Sequence, residues 1–319
     1  MVYTAFLDTI RQMVQAKLAD SGSAQIRQIS KNNGLVLDGL CVSPPGGGVS
    51  PTIYLNPYYP LYQKGMSLEE IIQDIFNILA DNSRIPDIST KSLSDFTVLR
   101  SKVAYKLIHT ASNQELLKDI PHIPFLDLSI VFYLYLESTK NGQMTALIHK
   151  DHQKMWQIST EELYDIAKTN TPILLPAQIK NMYDVMEEIA ADQLGEDYKK
   201  DFLDMEQDDH RLSPLSVLSN SSGFHGAAAI LYEGVLKNFA KPLGQDLVIL
   251  PSSIHEVLLL PYDETTDFSG LCDMVASINQ SEVPAEDQLS NQVYLYSLSD
   301  DRISLVTNSS VPIGTRNPL

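Results

Sequence analysis

DLVILPSSIHEVLLLPYD, residues 246–263, is the stretch from which the fold of this chain is predicted. Two apolar runs, 247–250 and 257–260, flank a short polar break, and short apolar runs bounded by turn signals are typical of strands buried on both faces. Pro251 favours a turn between them because its ring fixes φ. The stretch therefore predicts a β-hairpin at the centre of a sheet, with Pro261 ending the second strand.

Outside this stretch, alternating and β-branched runs predict further strands. Asn33-Gly34 is a strong hairpin signal because both residues tolerate positive φ. The predicted strands are 24–30, 35–42, 50–56, 103–109, 128–136, 144–149, 215–219, 227–232, 292–298 and 303–306. Residues 121–124, with a proline at each end, are predicted to form a rigid connector.

Apolar residues at three- and four-residue spacing predict the helices. Ser-x-x-Glu capping boxes at 67–70 and 159–162 mark two of the helix starts. The predicted helices are 4–19, 66–81, 114–118, 159–168, 178–194, 234–240 and 268–278, with another short helix within 89–101. The helix at 178–194 is predicted to turn Met186 and Ile189 inward.

The order of these elements predicts an α+β fold of two lobes, with mostly antiparallel sheets built of hairpins and helices packed on one face. Past Gly195 the apolar periodicity stops and acidic residues dominate, which is typical of a solvated linker. We therefore predict an N-terminal α+β domain at 1–195, an acidic linker at 196–212, a C-terminal domain of order ββ-α-ββ-α-ββ at 213–306, and a loose tail at 307–319.

Charge and cysteine content limit the expected partners and compartment. The chain has 40 acidic residues against 23 lysines and arginines, whereas nucleic acid and anionic membranes select basic surfaces. We expect neither as a partner, and no apolar segment is long enough to span a bilayer. Two cysteines form no disulfide framework and the N-terminus has no signal peptide, so a reducing cytoplasm is expected. No cofactor is expected.

Two histidines are the candidates for a metal site. His149 and His152 stand three residues apart, which on a helix would place both on one face and allow metal binding. At the predicted strand end they need not converge, and His152 could instead cap a helix or pack against Trp156. The motif His-Glu-x-x-His is absent, so no metal site is predicted.

His255 and Glu256 are the candidates for a catalytic base and its orienting carboxylate. His225, in a glycine-containing turn, could join them from a neighbouring hairpin. Adjacent strand residues point to opposite faces, so His255 and Glu256 cannot aim at one substrate without a bulge. The alternative is that the backbone satisfies the ring of His255. The nearby serines lie outside any Gly-x-Ser-x-Gly motif, which argues against a serine nucleophile.

A cluster of tyrosines and prolines is the candidate binding surface. The tyrosines are Tyr54, Tyr58, Tyr59 and Tyr62. Exposed tyrosine is enriched at protein interfaces, because its ring offers apolar area and a polar tip. The alternative is a tyrosine-rich cover that packs over the predicted helix at 66–81.

Six phrases along the chain resemble those of a known family. They are KNNG at 31–34, SPTIYLN at 50–56, PHIPFLD at 121–127, LLP at 174–176, LPSSIHE at 250–256 and LSNQVY at 289–294. In these phrases the chain resembles an uncharacterised bacterial family with a domain of unknown function, frequent in gut Clostridia and their mobile elements. The resemblance implies no activity and no catalytic residue.

These observations predict a non-catalytic cytoplasmic protein that acts through contacts with an unknown protein partner. One alternative is a hydrolase or metal-dependent enzyme centred on His255 and His225. That alternative requires the two side chains to lie within reach of each other in a concave pocket. A second alternative, suggested by the net charge of −17, is an acidic nucleic-acid mimic that occupies a basic protein.

Overall fold

A computed structural model shows two compact units, unit 1 (Met1–Arg100) and unit 2 (Ser101–Leu319). Both units combine helices with antiparallel sheets, so the predicted α+β class is confirmed. The structure describes residues 1–43, 52–82, 95–139, 142–194, 214–251 and 253–306.

Unit 1 contains a three-stranded sheet and four described α-helices. Its strands, in sheet order, are β1 (Ser23–Ser30), β2 (Val36–Ser43) and β3 (Thr52–Tyr54). Its helices are α1 (Tyr3–Leu18), α2 (Tyr58–Gln63), α3 (Leu68–Asn82) and α4 (Phe96–Leu99), with 3-10 turns at Ala19–Ser21 and Asn32–Gly34. The apolar positions of α1 and α3 pack with those of the sheet, as their spacing predicts. The buried residues of this core include Phe6, Ile10, Val14, Leu40, Ile53, Ile71 and Ile75.

Unit 2 contains two antiparallel sheets. In the first, β4 (Val103–His109) and β5 (His122–Phe125) flank β6 (Leu128–Thr139), which also pairs with β7 (Gly142–Leu147). The second has the order β13-β12-β10-β11-β9-β8. Its strands are β8 (Ala177–Asn181), β9 (Ser216–Asn220), β10 (Leu247–Leu250), β11 (Val257–Pro261), β12 (Tyr294–Ser297) and β13 (Arg302–Leu305).

The helices of unit 2 connect these strands. They are α5 (Gln114–Asp119), α6 (Lys150–Trp156), α7 (Thr160–Leu174), α8 (Met182–Leu194), α9 (Val235–Leu243) and α10 (Phe268–Ser281), with 3-10 helices at Ala111–Asn113 and Gly226–Leu231. A further 3-10 turn, Arg100–Lys102, precedes β4. Within the described ranges, no helix combines the length and the apolarity needed to cross a bilayer.

The hairpin predicted from residues 246–263 is confirmed at the centre of the six-stranded sheet. β10 and β11 pair with Leu247 opposite Pro261 and Ile249 opposite Leu259, and all four residues of β10 are buried. β12 lies on one side of the pair and β9 on the other. β10 is therefore covered on both faces, which allows it to be apolar throughout, whereas Leu258, Leu260 and Pro261 of β11 are half-buried.

One carboxylate joins the two sheets of unit 2. Asp127, in the turn between β5 and β6, accepts hydrogen bonds from the Tyr294 hydroxyl (2.8 Å) and the Ser290 hydroxyl (2.6 Å). Tyr294 is fully buried, and burial raises the pKa of its phenol well above the ordinary value. The hydroxyl therefore stays protonated and donates to Asp127.

Two predicted elements have a different secondary structure. Residues 227–232 were predicted as a strand, but residues 226–231 form a buried 3-10 helix. The run Ala227–Ala229 has no branched side chains, and the backbone there lies against the central hairpin, where Ala227 N–H donates to the Ile254 carbonyl. The predicted connector at 121–124 is largely strand β5. Pro124 is tolerated because β5 lies at a sheet edge, where a missing N–H is not needed.

Two helix boundaries also differ from the prediction. The start of the helix predicted at 178–194 is instead strand β8, because Ile179 pairs with Leu218 of β9. Helix α7 does not end near 168 but continues past Pro172 to Leu174. Pro172 has no N–H, so one helix carbonyl loses its donor. The helical hydrogen-bond pattern is present again at the end of α7, where the Leu175 N–H donates to the Thr171 carbonyl.

The predicted domain boundary near residue 195 requires a correction. Strands β8 and β9 lie on either side of that point, yet they are neighbours in one sheet, and the two compact units divide at Arg100 instead. Loss of apolar periodicity marks a connection, but it carries no information on whether the flanking strands pair. The predicted linker at 196–212 and the tail at 307–319 lie outside the described residues. The same is true of residues 50–51 of the predicted strand 50–56 and of residues 89–94, where part of a short helix was expected.

The capping box that begins α7 supports a first prediction. Ser159 Oγ accepts the N–H of Glu162 (3.1 Å), and the Glu162 carboxylate accepts the N–H of Ser159 (2.9 Å). Replacing Ser159 by alanine should lower the free energy of unfolding by about 1 kcal/mol, measured by urea unfolding. Ser281→Ala, at the exposed end of α10, is the control. Equal midpoints for the two variants would contradict the prediction.

Candidate functional site

The candidate catalytic histidines meet where a loop contacts the turn of the central hairpin. His225 immediately precedes the 3-10 helix Gly226–Leu231, and His255 lies before β11 rather than within it. The N–H of His225 lies 3.3 Å from Nδ1 of His255 and donates to it. A second bond, also 3.3 Å, runs from Ala227 N–H to the Ile254 carbonyl. These two bonds hold the loop on the turn.

The loop approaches the hairpin so closely that only glycine fits at position 226. His225 has a φ of 55°, which turns the backbone towards the hairpin. A Cβ on Gly226 would lie 2.5 Å from the His255 carbonyl oxygen and 2.7 Å from the Asn220 nitrogen, and it would also clash with Ser219 Oγ. The Ser219 hydroxyl itself donates to the His255 carbonyl at 2.8 Å. The absence of a side chain at 226 therefore sets the distance between the histidines.

The rings of His225 and His255 are parallel, with centroids 6.1 Å apart and planes 5° apart. Lys106 Nζ lies 3.3 Å from Nε2 of His225, and Tyr133 contacts the same ring in an edge arrangement at 5.3 Å. His225 is only 6% exposed. Burial, more than nearby charge, raises the pKa of Tyr133. Because a lysine side chain has only donors, Nε2 of His225 is the acceptor in this contact.

The ring of His255 is held at both nitrogens. Nδ1 accepts the His225 N–H, and Nε2 lies 3.2 Å from Oδ1 of Asp287. Since Nδ1 is the acceptor, the proton is assigned to Nε2, from which it is donated to the carboxylate. The backbone carbonyl of Asp287 also accepts a hydrogen bond from the Ile254 N–H, at 2.7 Å. The arrangement fastens the Asp287 loop to the hairpin turn, and it leaves His255 no free lone pair for a substrate proton.

Glu256 does not serve as the partner of His255. Its Oε1 accepts the Ser253 hydroxyl at 2.9 Å, and Ser253 Oγ in turn accepts the N–H of His255 at 3.0 Å. The candidate pair is therefore divided: Glu256 faces Ser253, whereas His255 faces Asp287. These contacts complete the hairpin turn. Ser252 lies outside the described residues.

The metal candidates His149 and His152 cap helix α6. Nδ1 of His152 accepts the N–H of His149 (2.9 Å), and the ring stacks on Trp156 with centroids 5.3 Å apart. Burial, followed by the charge of His149, lowers the pKa of His152, which keeps the accepting ring neutral. His149 Nδ1 lies 2.6 Å from the Asp119 carboxylate. Among the residues that the structure describes, no group of three histidine, cysteine or acidic side chains could hold a metal ion.

The candidate tyrosine surface lies in unit 1, and much of it is packed. Tyr58 is buried, and its hydroxyl donates to Asp74 of α3 at 2.5 Å. Burial, followed by this hydrogen bond, raises the pKa of Tyr58. Tyr59 and Tyr62 are half-buried and contact the ring of Phe6 in α1, at 5.3 and 5.4 Å between centroids. The tyrosines therefore cover α1 as well as α3.

Tyr54 is the member of this cluster that lies on the sheet. It is half-buried in β3, and Lys31 Nζ lies 4.2 Å from the centroid of its ring, a cation–π contact. All four tyrosines thus make contacts within unit 1. The area that they leave for a partner is smaller than their number in the sequence indicates.

Sequence reasoning missed the groups that surround the two histidines. Lys106, Tyr133 and Asp287 come from β4, β6 and the segment before β12, and Lys106 is 119 residues from His225 in sequence. A local pattern cannot report such a contact. The available signal was that Lys106 interrupts strand 103–109, in which five of the seven residues are fully buried.

The six phrases that suggested a family resemblance extend from residue 31 to residue 294. The family described as "Family of unknown function (DUF5688)" matches residues 3–298, from α1 to β12. The chain belongs to DUF5688. The predicted resemblance to a family of unknown function is confirmed over nearly the whole chain, and DUF5688 assigns no role to the histidines. No curated protein and no solved structure matches the chain.

Proposed function

We propose that this chain is a non-catalytic protein that binds a basic protein partner through helix α8. The observation that carries the proposal is the exposure of Met186 and Ile189, at 51% and 52%. They lie about one turn apart on the stripe that their spacing predicts to be buried. Neighbouring exposed apolar residues on a helix are a feature of protein-binding surfaces.

The charge of α8 indicates the sign of the partner. Residues 182–194 contain four acidic side chains and no lysine or arginine. Of these, Asp184 and Glu188 are exposed, and Glu188 forms an ion pair with Lys180 of β8 at 2.6 Å. A partner that covers Met186 and Ile189 would lie beside these carboxylates, and the net charge of −17 would favour its approach if it is basic.

The catalytic alternative has weaker support. The cluster of His225, His255 and Lys106 is compact, but His255 makes hydrogen bonds through both ring nitrogens and Glu256 is bonded to Ser253. A hydrolase centred there would need one of these bonds to open before a substrate proton could be taken. Esterase, phosphatase or peptidase activity that is lost in His225→Gln would overturn the non-catalytic part of the proposal.

Replacing the two exposed residues tests the binding surface. Burying the exposed part of each side chain contributes roughly 1 kcal/mol, so Met186→Gln with Ile189→Gln should weaken partner binding tenfold or more. The partner is first recovered from an extract of the source cells with the tagged full chain. It is then titrated against wild type and variant at low and high salt, and high salt should weaken the wild-type complex.

A matched control lies elsewhere in unit 2. Met274 and Ile278 of α10 are each 41% exposed, and their double glutamine variant should bind like wild type. Equal loss in both double variants, or recovery of only acidic proteins, would refute the α8 surface. Self-association through α8 would replace the basic partner by a second copy. If nucleic acid displaces the recovered partner, the acidic-mimic alternative is favoured instead.

A cytoplasmic location is part of the proposal. Both cysteines, Cys41 and Cys272, are free thiols. Free thiols are the form that a reducing compartment maintains.

A further inference from the structure

A cleft of about 260 Å³ in unit 2 lies apart from the histidine cluster and from α8. Its walls come from α7, from the end of the 3-10 helix Gly226–Leu231 and the start of α9, and from the hairpin of β12 and β13. Three aliphatic side chains of its lining are almost fully buried: Ile230, Leu236 and Ile303. The cleft thus presents aliphatic side chains beside polar and charged ones, and its volume is just below the usual range of ligand pockets, about 300–1,000 Å³. It has room for one small molecule rather than for a nucleotide cofactor.

One pair of charges in the cleft is already satisfied. Lys237 Nζ lies 3.0 Å from Oδ2 of Asp301, and the Tyr296 hydroxyl donates to Oδ1 of Asp301 at 2.7 Å. The hydrogen bond from Tyr296, then that from Lys237, lowers the pKa of Asp301. The Asp301 carboxylate therefore stays ionised and paired with Lys237. Together the two side chains present no net charge to a ligand.

Two further charges of the lining have no such partner. Lys168 of α7 and Glu233, before α9, are exposed side chains that line the cleft. Within the part of the chain that the structure describes, neither makes an ion pair or a side-chain hydrogen bond. Tyr164 lies one helical turn before Lys168 and lines the same cleft, and its hydroxyl likewise has no hydrogen bond among the described residues. The cleft therefore offers one cation, one anion and one hydroxyl beside an apolar wall.

We propose that this cleft binds a small zwitterion with an apolar side chain, of the α-amino-acid class. Lys168 would bind the carboxylate, Glu233 the ammonium group, and the aliphatic lining the side chain. A ligand with a single charge would form an ion pair with only one of these two exposed side chains. Opposite charges on one small molecule match the pair that the lining leaves open. This inference does not depend on the role of α8.

Calorimetric titration of the full chain with four probes tests the ligand class. L-Phenylalanine carries both charges and an apolar group, 2-phenylethylamine lacks the carboxylate, 3-phenylpropionate lacks the ammonium group, and glycine lacks the side chain. We expect L-phenylalanine to bind with a Kd on the order of 100 µM, and each of the other three to bind at least about tenfold more weakly. L-Leucine is titrated in parallel, as a smaller side chain for the same wall.

Two variants identify the contacts, because each should spare a different singly charged probe. Lys168→Gln should weaken L-phenylalanine about tenfold and leave 2-phenylethylamine unchanged, because the amine has no carboxylate to lose. Glu233→Gln should weaken L-phenylalanine equally and leave 3-phenylpropionate unchanged. Lys241→Gln and Glu282→Gln, on exposed positions outside the lining, are the matched controls and should bind like wild type.

Three results would overturn the inference. The first is that neither L-phenylalanine nor L-leucine binds at 10 mM, which is roughly a hundred times the expected Kd. The second is that the zwitterion and a singly charged probe bind with equal affinity. The third is that both lining variants bind like wild type. Circular dichroism of each variant should show a retained fold, because the replaced side chains are exposed and form no ion pair or side-chain hydrogen bond with any described residue. A chain that binds the amino acid but recovers no basic protein would support this inference and refute the α8 proposal separately.

Discussion

Replacing Gly226 by alanine should destabilise unit 2 by about 3 kcal/mol, through overpacking of a close backbone contact. The added Cβ would lie 2.5 Å from the carbonyl oxygen of His255 and 2.7 Å from the nitrogen of Asn220. Asn220 lies in β9 and His255 in the turn of the central hairpin, and because both atoms belong to the backbone, neither can rotate away as a side chain could. The loop must move instead, and the bond between His225 N–H and His255 Nδ1 would be lost.

Thermal unfolding followed by circular dichroism measures this effect. A loss of about 3 kcal/mol corresponds to a fall in Tm of roughly 6–12 °C for a unit of this size. Gly223→Ala is the control, because a Cβ there meets no atom within 4 Å and only its φ of +68° is unfavourable. We expect that control to lose about 1–2 kcal/mol. A Gly226→Ala variant no less stable than Gly223→Ala would contradict the close packing of the loop.

Replacing Asp127 by alanine should have an effect of similar size, because it removes the acceptor shared by two buried hydroxyls. Tyr294 is fully buried and Ser290 is 4% exposed, so both hydroxyls depend on a protein group as their acceptor. Each buried hydroxyl left without an acceptor costs about 1–3 kcal/mol. We expect the free energy of unfolding to fall by about 3 kcal/mol, measured by urea unfolding. Asp273→Ala, exposed on α10, should change it little.

A second substitution separates this mechanism from a general loss of packing. Tyr294→Phe in the Asp127→Ala background removes the hydroxyl that had lost its acceptor, and should restore about 1 kcal/mol. Removing both partners of a buried hydrogen bond costs less than removing the acceptor alone. Strictly additive losses in the double variant would show that Asp127 and Tyr294 are not coupled.

The elements that were predicted correctly depend on residues close together in sequence. The hairpin of β10 and β11 follows from two apolar runs and a proline turn, and the capping box at Ser159 and Glu162 follows from a spacing of three. Such signals need no knowledge of the remaining chain. The α+β class followed from the same local patterns in succession.

The elements that were predicted wrongly depend on partners that are distant in sequence. Residues 177–181 have a helical spacing, but they form β8 because the edge of β9 is available to them. Residues 226–231 form a 3-10 helix because Gly226 allows contact with the hairpin turn. In both segments a tertiary contact outweighed a local preference that is worth less than about 1 kcal/mol per residue.

The candidate site divides in the same way. From the sequence alone, His225 and His255 could be named as residues of interest, and the rings do lie 6.1 Å apart. Only the fold decided that Lys106 and Asp287 complete that cluster, that Glu256 bonds to Ser253, and that Lys168 and Glu233 line a separate cleft. Short-range patterns fix turns, caps and strands because those depend on neighbours within a few residues. The choice of partner for each polar side chain was made by packing, since chain segments more than a hundred residues apart meet only in the folded protein.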